Sequence, residues 1–563
     1  MAQQGQQTAR RSKMVGWYDP GQLLKTGIDV ILSQVFGARV DYRLIETFAG
    51  EQQVIDRSQQ EELWFDFVAD LGDGWDATYA VATMLAAEHL QVHAPGGQLT
   101  LPRGEFLVMG GDEVYPVASR DNYQERMVAP YEAALPTRSD NPPTVYAIPG
   151  NHDWYDGLIS FTRLFSAQRW IGGWRTQQKR SYFAIKLPHD WWLWALDYQL
   201  ESDIDEPQRD FFSRVAREQM KRGDKVILAS AEPDWIYGNI YSRKYQSNIA
   251  FLQSEIIEKT ACANLSVAIS GDLHHYRRHE AADGSGTQLV TSGGGGAFTL
   301  PTFGPNVDEI AVGPEPAPKK YVMKCAYPDW RTSKRMLART LLFPLLNPKF
   351  GVLTGLLYLS IAWLYREPIM NERMLVHDPL RGVNFLFHAI LASPFGFGVL
   401  ALVIGGFIAF TDTHIKKYKY LGGAAHALAN LWALLGVTLG ASALINRVLG
   451  ADETSIAYLL ATAGLIFLGG YVAGGVIMGL YLYISLRVFR RHTQEAYSAQ
   501  RITSYKNFVR FHIDKTGKLT MYPIGLRRVA KRWRKSDEPI GPQWQPVGKH
   551  SKPEMIEPPI EVK

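Results

Sequence analysis

Residues 148–157, IPGNHDWYDG, decide the fold of the first half of this chain. They begin where an apolar run, residues 145–147, ends, and such a run is typical of a buried strand. The Pro-Gly pair turns the chain, and an amide, an imidazole and a carboxylate follow at once, the side chains of Asn151, His152 and Asp153. One such group is ordinary in a turn. Three in a row at the end of a strand predict a functional site.

Other apolar runs between residues 63 and 300 also end in oxygen or imidazole donors. LWFDFVAD ends at Asp70, EFLVMGGD ends at Asp112, and LSVAISGDLHH delivers Asp272 and His274. These runs alternate with polar or helical stretches, which predicts an α/β or α+β domain. In such sheets the loops at the carboxyl ends of neighbouring strands converge on one crevice.

Gathered there, four of these side chains would form a set of hard oxygen ligands with an imidazole: Asp70, Asp112, Asn151 and His274. This set suits Mn, Fe, Mg or Zn, and the missing thiolates argue against a purely structural zinc site. A carboxylate shared between two ions would allow a two-metal site, which is suited to in-line displacement at phosphorus.

Composition sets the outer limits. A chain of 563 residues exceeds a single core, so two or more domains are expected. The net charge of +5 is small for this length and does not point to nucleic acid as a partner. The two cysteines, Cys262 and Cys325, form no metal-binding pattern and argue against a disulfide scaffold. The polar start of the chain lacks the apolar core of a secretory signal.

The order of the strand-end motifs resembles that of the calcineurin-like metallophosphoesterases. The matching segments are DLGD at Asp70, GGDEVYP at Asp112, GNHD at Asn151 and GDLHH at Asp272 and His274, with the glycine-rich TSGGGGAF at 291–298 resembling the late strand and loop of the family. The resemblance implies a metallophosphoesterase sandwich of two mixed sheets flanked by helices, an α/β (α+β) fold, with divalent metal ions at the strand ends.

The resemblance also implies a role for each residue. Asp70 and His274 would bind the first of two metals, Asp112 would bridge the pair, and Asn151 would bind the second. His152 would assist at the leaving-group oxygen or stabilise the charged transition state, and Asp153 would orient His152.

Three positions depart from the family pattern. Gly72 stands where the first motif has His, Ala231 and Glu232 stand where the fourth motif has His, and Asp272 replaces the first His of the last motif. Nearby oxygen donors could take over, and we include Asp272 in the predicted metal ligands; Asp73 and Glu232 are further candidates, with a helix cap the simpler role for Asp73. Such a site would be harder and favour Mn or Mg over Zn. A single-metal site, or one that binds metal and catalyses poorly, fits the same departures.

The composition changes at residue 336. Four stretches without acidic or basic residues follow, at 350–365, 383–410, 420–445 and 456–486. Most reach the roughly 20 apolar residues that cross a bilayer, so we predict an all-α transmembrane bundle of about four spans. The Gly and Ala residues in spans two to four suit close packing within this bundle or in a homo-oligomer.

Basic residues predict the orientation of the bundle. They cluster before the first span, after the second and after the fourth, at 319–339, 416–419 and 487–501, whereas acidic residues balance the basic ones in the other two loops. The positive-inside rule then places the enzyme-like domain and both termini in the cytoplasm. The cell inner membrane is the expected location.

The sequence thus predicts four segments: 1–62 with an amphipathic helix, the metallophosphoesterase domain 63–320, the membrane domain 336–490, and a cytoplasmic tail 491–563 with a hairpin and a basic stretch. The predicted function is hydrolysis of a phosphomonoester or phosphodiester, lipid-linked substrates included, by metal-activated water. The first alternative is a membrane-bound regulator that binds metal or ligand with little or no turnover. The second is a transporter with a regulatory head.

Overall fold

The computed structural model of the chain describes residues 11–32, 53–198, 204–241, 247–304, 307–313, 318–365, 379–411, 416–450, 455–538 and 540–562. The chain divides into two compact units. The first unit comprises Met1–Val15, Lys25–Lys334 and Arg501–Lys563, and the second comprises Gly16–Leu24 and Arg335–Gln500. The first unit is therefore built from residues on both sides of the second in the sequence.

The strands, in chain order, are β1 Ile55–Asp56, β2 Leu63–Val68, β3 His89–Ala94, β4 Gly97–Pro102, β5 Phe106–Gly110, β6 Thr144–Ile148, β7 Trp170–Ile171, β8 Trp174–Thr176, β9 Phe183–Lys186, β10 Trp191–Ala195, β11 Lys225–Ser230, β12 Asn264–Ser270, β13 Tyr276–Ala281, β14 Gln288–Ser292, β15 Glu309–Val312, β16 Lys319–Tyr327, β17 Lys506–Ile513, β18 Leu519–Leu526, β19 Arg532–Lys535, β20 Trp544–Val547, β21 Glu554–Met555 and β22 Ile560–Val562.

The α-helices of four residues or more are α1 Pro20–Leu32, α2 Trp75–Ala86, α3 Ala129–Ala134, α4 Asn151–Trp154, α5 Ile159–Leu164, α6 Glu206–Glu218, α7 Asp234–Tyr241, α8 Asn248–Phe251, α9 Trp330–Leu337, α10 Phe343–Leu346, α11 Pro348–Leu364, α12 Pro379–Ala392, α13 Pro394–Phe410, α14 Lys416–Leu449, α15 Ile456–Ile484 and α16 Thr493–Ser498.

Two mixed sheets form the first unit. Sheet A has the order β1-β9-β10-β11-β12-β14-β13-β16-β15, and sheet B has the order β4-β3-β21-β18-β17-β2-β5-β6-β8-β7, with β22 on β18. Strands β10, β11, β12 and β14 are parallel in sheet A, and β2, β5 and β6 are parallel in sheet B. The carboxyl ends of the two parallel blocks are where the predicted ligands follow.

The two sheets pack face to face on one apolar core. Phe67, Val108 and Ile148 of sheet B meet Ile227 and Ile269 of sheet A, and all five are almost fully buried. Burying each such side chain contributes roughly 1.5–3 kcal/mol. Helix α2 covers the outer face of sheet B, and helix α6 covers that of sheet A. The predicted sandwich of two mixed sheets flanked by helices is confirmed.

The C-terminal hairpin contributes two interior strands to sheet B, between β21 and β2. Strands β17 and β18 pair antiparallel, and β17 also pairs with β2 from Val509–Phe67 to Ile513–Leu63. On β17, the buried Arg510 guanidinium donates to both carboxylate oxygens of Asp66, at 2.7 and 2.9 Å. Strand β2, which leads to Asp70, is therefore an interior strand.

The second unit is helical and apolar. Two helices are long and apolar enough to cross a membrane, Lys416–Val448 and Ile456–Phe489, and Pro394–Phe410 is a shorter apolar helix. A third span exists if Trp330–Leu346 and Pro348–Leu364, bent by 59°, count as one. The predicted number of four spans stays a prediction. Residues 366–378 and 451–454, the loops that bear on orientation, lie outside the described residues, as do 1–10 and 33–52 of the predicted N-terminal segment.

Candidate metal site

The predicted ligands follow their strands in an unusual backbone conformation. Asp70, Asp112, Asp272 and His274 have φ angles of 59°, 54°, 69° and 45°, in the left-handed region. For residues other than glycine this region costs roughly 1–2 kcal/mol, so it persists only where the surroundings enforce it. Such residues cluster at functional sites. Here the sharp turn lets each side chain leave its strand end toward the others.

The segments after β2 and β5 remain hydrogen-bonded to each other beyond the regular strands. Asp70 N donates to Gly111 O at 3.0 Å, Leu71 N to Asp112 O at 2.9 Å, and Gly72 N to Glu113 O at 3.0 Å. This pairing holds Asp70 and Asp112 on neighbouring segments. Both carboxylates are almost completely buried.

Gly72 explains why the family histidine is absent from the first motif. A Cβ atom at this position would lie 2.5 Å from the carbonyl oxygen of Glu113, which is too close for any side chain. The carbonyl of Gly72 accepts a hydrogen bond of 3.0 Å from the backbone amide of Tyr115. The segment that carries Tyr115 is thus hydrogen-bonded directly to Gly72.

The hydroxyl of Tyr115 lies among three of the predicted ligands. It is 2.9 Å from Asp112 Oδ2, 3.0 Å from His274 Nε2 and 3.3 Å from Asp70 Oδ1. Tyr115 was not among the predicted site residues, although it stands in the quoted motif GGDEVYP. The missing imidazole at Gly72 was the available signal that another donor must fill this place.

The His274 ring is fixed in a form that can bind a metal. Its Nδ1 lies 2.8 Å from the carbonyl oxygen of Phe298, which can only accept, so Nδ1 carries the proton and Nε2 presents its lone pair. Burial, with a further contribution from Lys506, lowers the pKa of His274 to about 3. The ring is therefore neutral at pH 7, the form in which imidazole binds metal.

Three carboxylates share this region with little positive charge to offset them. Burial, followed by Asp112 and Asp272, raises the pKa of Asp70 well above its ordinary value. Burial and Asp153 raise the pKa of Asp112 to about 7, and burial and Asp112 raise that of Asp272 to about 6. The Oδ2 atom of Asp70 is buried and has no hydrogen-bond partner among the described residues. A bound cation would offset the negative charge of all three carboxylates.

Asn151 and His152 lie at the more open side of the site and are half-buried. The Asn151 amide nitrogen donates to Tyr155 Oη at 3.1 Å, which leaves its carbonyl oxygen as the atom available to a metal. The backbone amide of His152 donates to Asp112 Oδ1 at 3.0 Å. Its ring Nδ1 lies 2.6 Å from the carbonyl oxygen of Pro116, so in the neutral ring Nε2 carries the lone pair. Burial lowers the pKa of His152.

Asp153 braces the turn rather than supplying the hydrogen bond seen at the His152 ring. Its Oδ2 accepts from Gly150 N at 2.9 Å and from Glu113 N at 3.2 Å, and its Oδ1 accepts from Tyr123 Oη at 2.5 Å. These bonds tie the GNHD turn to the residue that follows Asp112. The ring orientation predicted to come from Asp153 comes from the Pro116 carbonyl instead, a contact between residues 36 apart that no local pattern signals.

Two oxygen donors named as replacements for the missing histidines have other partners. Asp272 is half-buried, accepts from the Tyr237 hydroxyl, and donates from its backbone amide to Asp70 Oδ1 at 3.0 Å. Asp73 is fully buried and accepts from the backbone amides of Val15 at 2.7 Å and Phe298 at 3.3 Å. Asp272 thus lies at the site, whereas Asp73 holds two neighbouring segments, and Gly74 takes the cap position of α2.

The residues present fit a divalent cation. Within the described residues, no three His, Cys, Asp or Glu side chains are already placed to hold one, and the Tyr115 hydroxyl is hydrogen-bonded to Asp70, Asp112 and His274. The donor set nevertheless has the required chemistry: buried carboxylates with raised pKa values, an imidazole with its Nε2 lone pair turned inward, a phenol, and an unpartnered carboxylate oxygen.

Comparison with known families gives one match, which covers the strands that lead to this site. The model of the calcineurin-like phosphoesterase family matches residues 63–276, from the start of β2 to the start of β13. Members of this family generally use divalent metals. No curated protein matches the chain significantly. The resemblance noted from the strand-end motifs is thereby confirmed.

Proposed function

Since residues 63–276 match the model of the calcineurin-like phosphoesterase family, we propose that the chain is a membrane-anchored, metal-dependent phosphoesterase. The observation that carries the proposal is the convergence of Asp70, Asp112 and His274 on one hydroxyl position, with Asn151 and His152 beside it. The substrate is a phosphomonoester or phosphodiester.

The residues that would hold metal are Asp70, Asp112, Tyr115, Asn151, Asp272 and His274. A divalent cation at such a site supplies positive charge to the phosphoryl oxygens and activates water for attack at phosphorus. The chain itself orients two of these donors: the Phe298 carbonyl sets the His274 ring, and the Tyr155 hydroxyl sets the Asn151 amide. Oxygen donors dominate the set, which favours Mn or Mg over Zn.

His152 is the proposed acid at the leaving group. The Nδ1 proton of the ring is hydrogen-bonded to the Pro116 carbonyl. A proton delivered to the leaving-group oxygen would therefore come from Nε2, which must first be protonated. The depressed pKa makes the protonated ring a strong acid that releases this proton readily. The ring is half-buried at the open side, where a phosphoester would approach.

The helices of the second unit support the proposed anchoring of the protein in a membrane. Two helices of the second unit are long and apolar enough to span a bilayer, and the basic clusters before and after them favour a cytoplasmic first unit. Anchoring favours a substrate that is itself held in the membrane, a lipid-linked phosphate.

One observation favours the regulator alternative. The Tyr115 hydroxyl already bonds three predicted ligands, so metal entry must displace or recruit it. A protein that stayed in this arrangement would bind ligand without turnover.

The decisive experiment compares metal content and hydrolysis in the full chain. Wild type purified in detergent should contain Mn or another divalent metal and release phosphate from at least one nucleotide, phosphoprotein, phospholipid or aryl phosphate. Asp112→Asn should lose most of the metal. His152→Ala should keep the metal and lose about 100- to 10,000-fold in rate, the usual contribution of an acid-base group.

His89→Ala, a change at an exposed histidine of β3, is the matched control and should resemble wild type in both measurements. Metal-loaded wild type that hydrolyses none of the four substrate classes would favour the regulator. An active His152→Ala variant would remove His152 from the chemistry while leaving the enzyme.

A further inference from the structure

The glycine-rich segment 293–298 is bound on one side to the strand end that carries Asp70. Gly295 N donates to Ala69 O at 2.8 Å, and Ala297 N donates to Asp70 O at 2.9 Å. The carbonyl of Phe298 accepts from His274 Nδ1 at 2.8 Å. The position of this loop therefore sets the position of the His274 ring.

On its other side the same loop is bound to the first two residues of β17. Asn507 N donates to Gly294 O at 3.0 Å, and Asn507 Oδ1 accepts from Ser292 Oγ at 3.0 Å. The ammonium group of Lys506 donates to the carbonyl of Ala297. Lys506 and Asn507 are both fully buried, so their bonds do not compete with bulk water.

Resting on the proposed metal function, we propose that Lys506 and Asn507 are positioning residues of the metal centre. They hold the 293–298 loop, and through the Phe298 carbonyl they hold His274. Because both residues follow the membrane region in the sequence, the metal centre is complete only when the C-terminal segment has docked into sheet B.

The hydrogen bond of Lys506, rather than its charge, carries this role. A cation close to a metal site opposes metal binding, so a purely electrostatic Lys506 would weaken it. Burial lowers the pKa of Lys506 to about 7, against the smaller opposing effects of Asp73 and Asp70. At pH 8 most of the amine is therefore neutral, and it still donates to Ala297. A measurement at pH 8 separates the two effects.

The test is Mn²⁺ titration by calorimetry at pH 8 on the full chain in detergent. Lys506→Met removes the donor at similar volume and should weaken Mn²⁺ binding by about 10- to 100-fold, the usual effect of losing a partner that orients a ligand. Lys506→Gln also lacks the charge but keeps an N–H donor, and should recover part of the affinity. Lys518→Met, on an exposed lysine of the same hairpin, should bind as wild type does.

Circular dichroism and resistance to protease establish that each variant is folded at the titration temperature. If Lys506→Met does not fold, Asn507→Ala takes its place and should weaken binding in the same way. Unchanged or tighter Mn²⁺ binding in the folded variant overturns the inference, as does equal loss in Lys506→Met and Lys506→Gln. Wild type that binds no Mn²⁺ would overturn the proposed function and this inference with it, whereas normal wild-type binding with unaffected variants would overturn the inference alone.

Discussion

Gly72 and Tyr115 act as a pair at the scale of single residues. The loop after β5 runs so close to Gly72 that no side chain fits there, and the same loop carries the Tyr115 hydroxyl to Asp70, Asp112 and His274. The side chain that the first motif lacks at Gly72 and the hydroxyl that Tyr115 supplies thus belong to segments in direct contact. Because the two residues lie 43 positions apart, the sequence does not show this relation.

The grouping of Asp70, Asp112 and His274 could be predicted because each is signalled locally, by an apolar run that ends in a donor, and their role as metal ligands stays a prediction. The contacts that orient them could not. Tyr155 follows Asn151 by only four residues, so its contact is local. Pro116, Phe298 and Lys506 are brought to the site by the tertiary fold. Backbone carbonyls in particular leave no trace in the identity of a residue.

The raised carboxyl pKa values predict opposite effects of pH on stability and on metal binding. In the metal-free protein, Asp112 and Asp272 have pKa values of about 7 and about 6, against an ordinary value of 3.8. At these two carboxyls the folded state holds protons that the unfolded state releases, so their contribution to stability falls as pH rises from about 4 to about 7. Metal binding needs the ionised carboxylates, so Mn²⁺ affinity should rise over the same range.

Calorimetry checks the effect on metal binding. Mn²⁺ should bind the metal-free protein more tightly at pH 8 than at pH 5 and release protons when it binds at pH 6. Titration in buffers of different ionisation enthalpy counts those protons. Mn²⁺ affinity that does not change between pH 5 and pH 8 would contradict the burial of these carboxyls.

At the scale of secondary-structure elements, the C-terminal hairpin shows which features a local sequence pattern can predict. The alternation over residues 507–529 and the turn at 515–517 predict a hairpin, and β17 and β18 form one. Its pairing with β2 joins residues more than 400 positions apart, for example Val509 with Phe67. Many strands offer a compatible edge, so no local signal selects the partner. The buried ion pair of Arg510 with Asp66 stabilises this register.

The membrane helices make a prediction of their own. If the bundle has an even number of spans, as the three basic clusters predict, both termini lie in the cytoplasm. A reporter that is active only after export should stay silent when fused after Lys563. The same reporter should be active when inserted at Met374, in the first predicted outer loop, which lies outside the described residues. The reverse pattern would place the first unit on the opposite side of the membrane.

At the scale of the whole molecule, the first unit is interrupted by the second in the sequence. The chain leaves the first unit after Lys334 and re-enters it at Arg501. Both junctions are fixed to one short segment: Ser333 Oγ accepts from Thr302 N at 3.2 Å, and Ile502 O accepts from Thr299 N at 2.9 Å. The two ends of the interruption are thus hydrogen-bonded to residues of the first unit that are only three positions apart in the sequence. The composition change at residue 336 marks the exit, but nothing in the sequence shows that the last 63 residues return to the same sheets.

This arrangement predicts that the membrane region can be removed without loss of the metal centre. Replacing residues 335–500 by a flexible Gly/Ser linker of about ten residues, which spans roughly 16–19 Å on average, should give a soluble protein that binds Mn²⁺ as the full chain does.

The matched comparison is a fragment that stops at Lys334. It retains the 63–276 family match but lacks β17, so it exposes the edge of β2, leaves Asp66 without its Arg510 partner, and removes the Lys506 bond to the loop that holds His274. It also lacks Val509, Phe511 and Ile513 of the core, each worth roughly 1.5–3 kcal/mol against the 5–15 kcal/mol that stabilises a typical domain, and the exposed strand edge invites aggregation. The linked protein should therefore elute as a folded species with bound Mn²⁺, while the fragment should aggregate or bind none. A fragment ending at Lys334 that folds and binds Mn²⁺ with full affinity would show that the C-terminal strands are dispensable for the site.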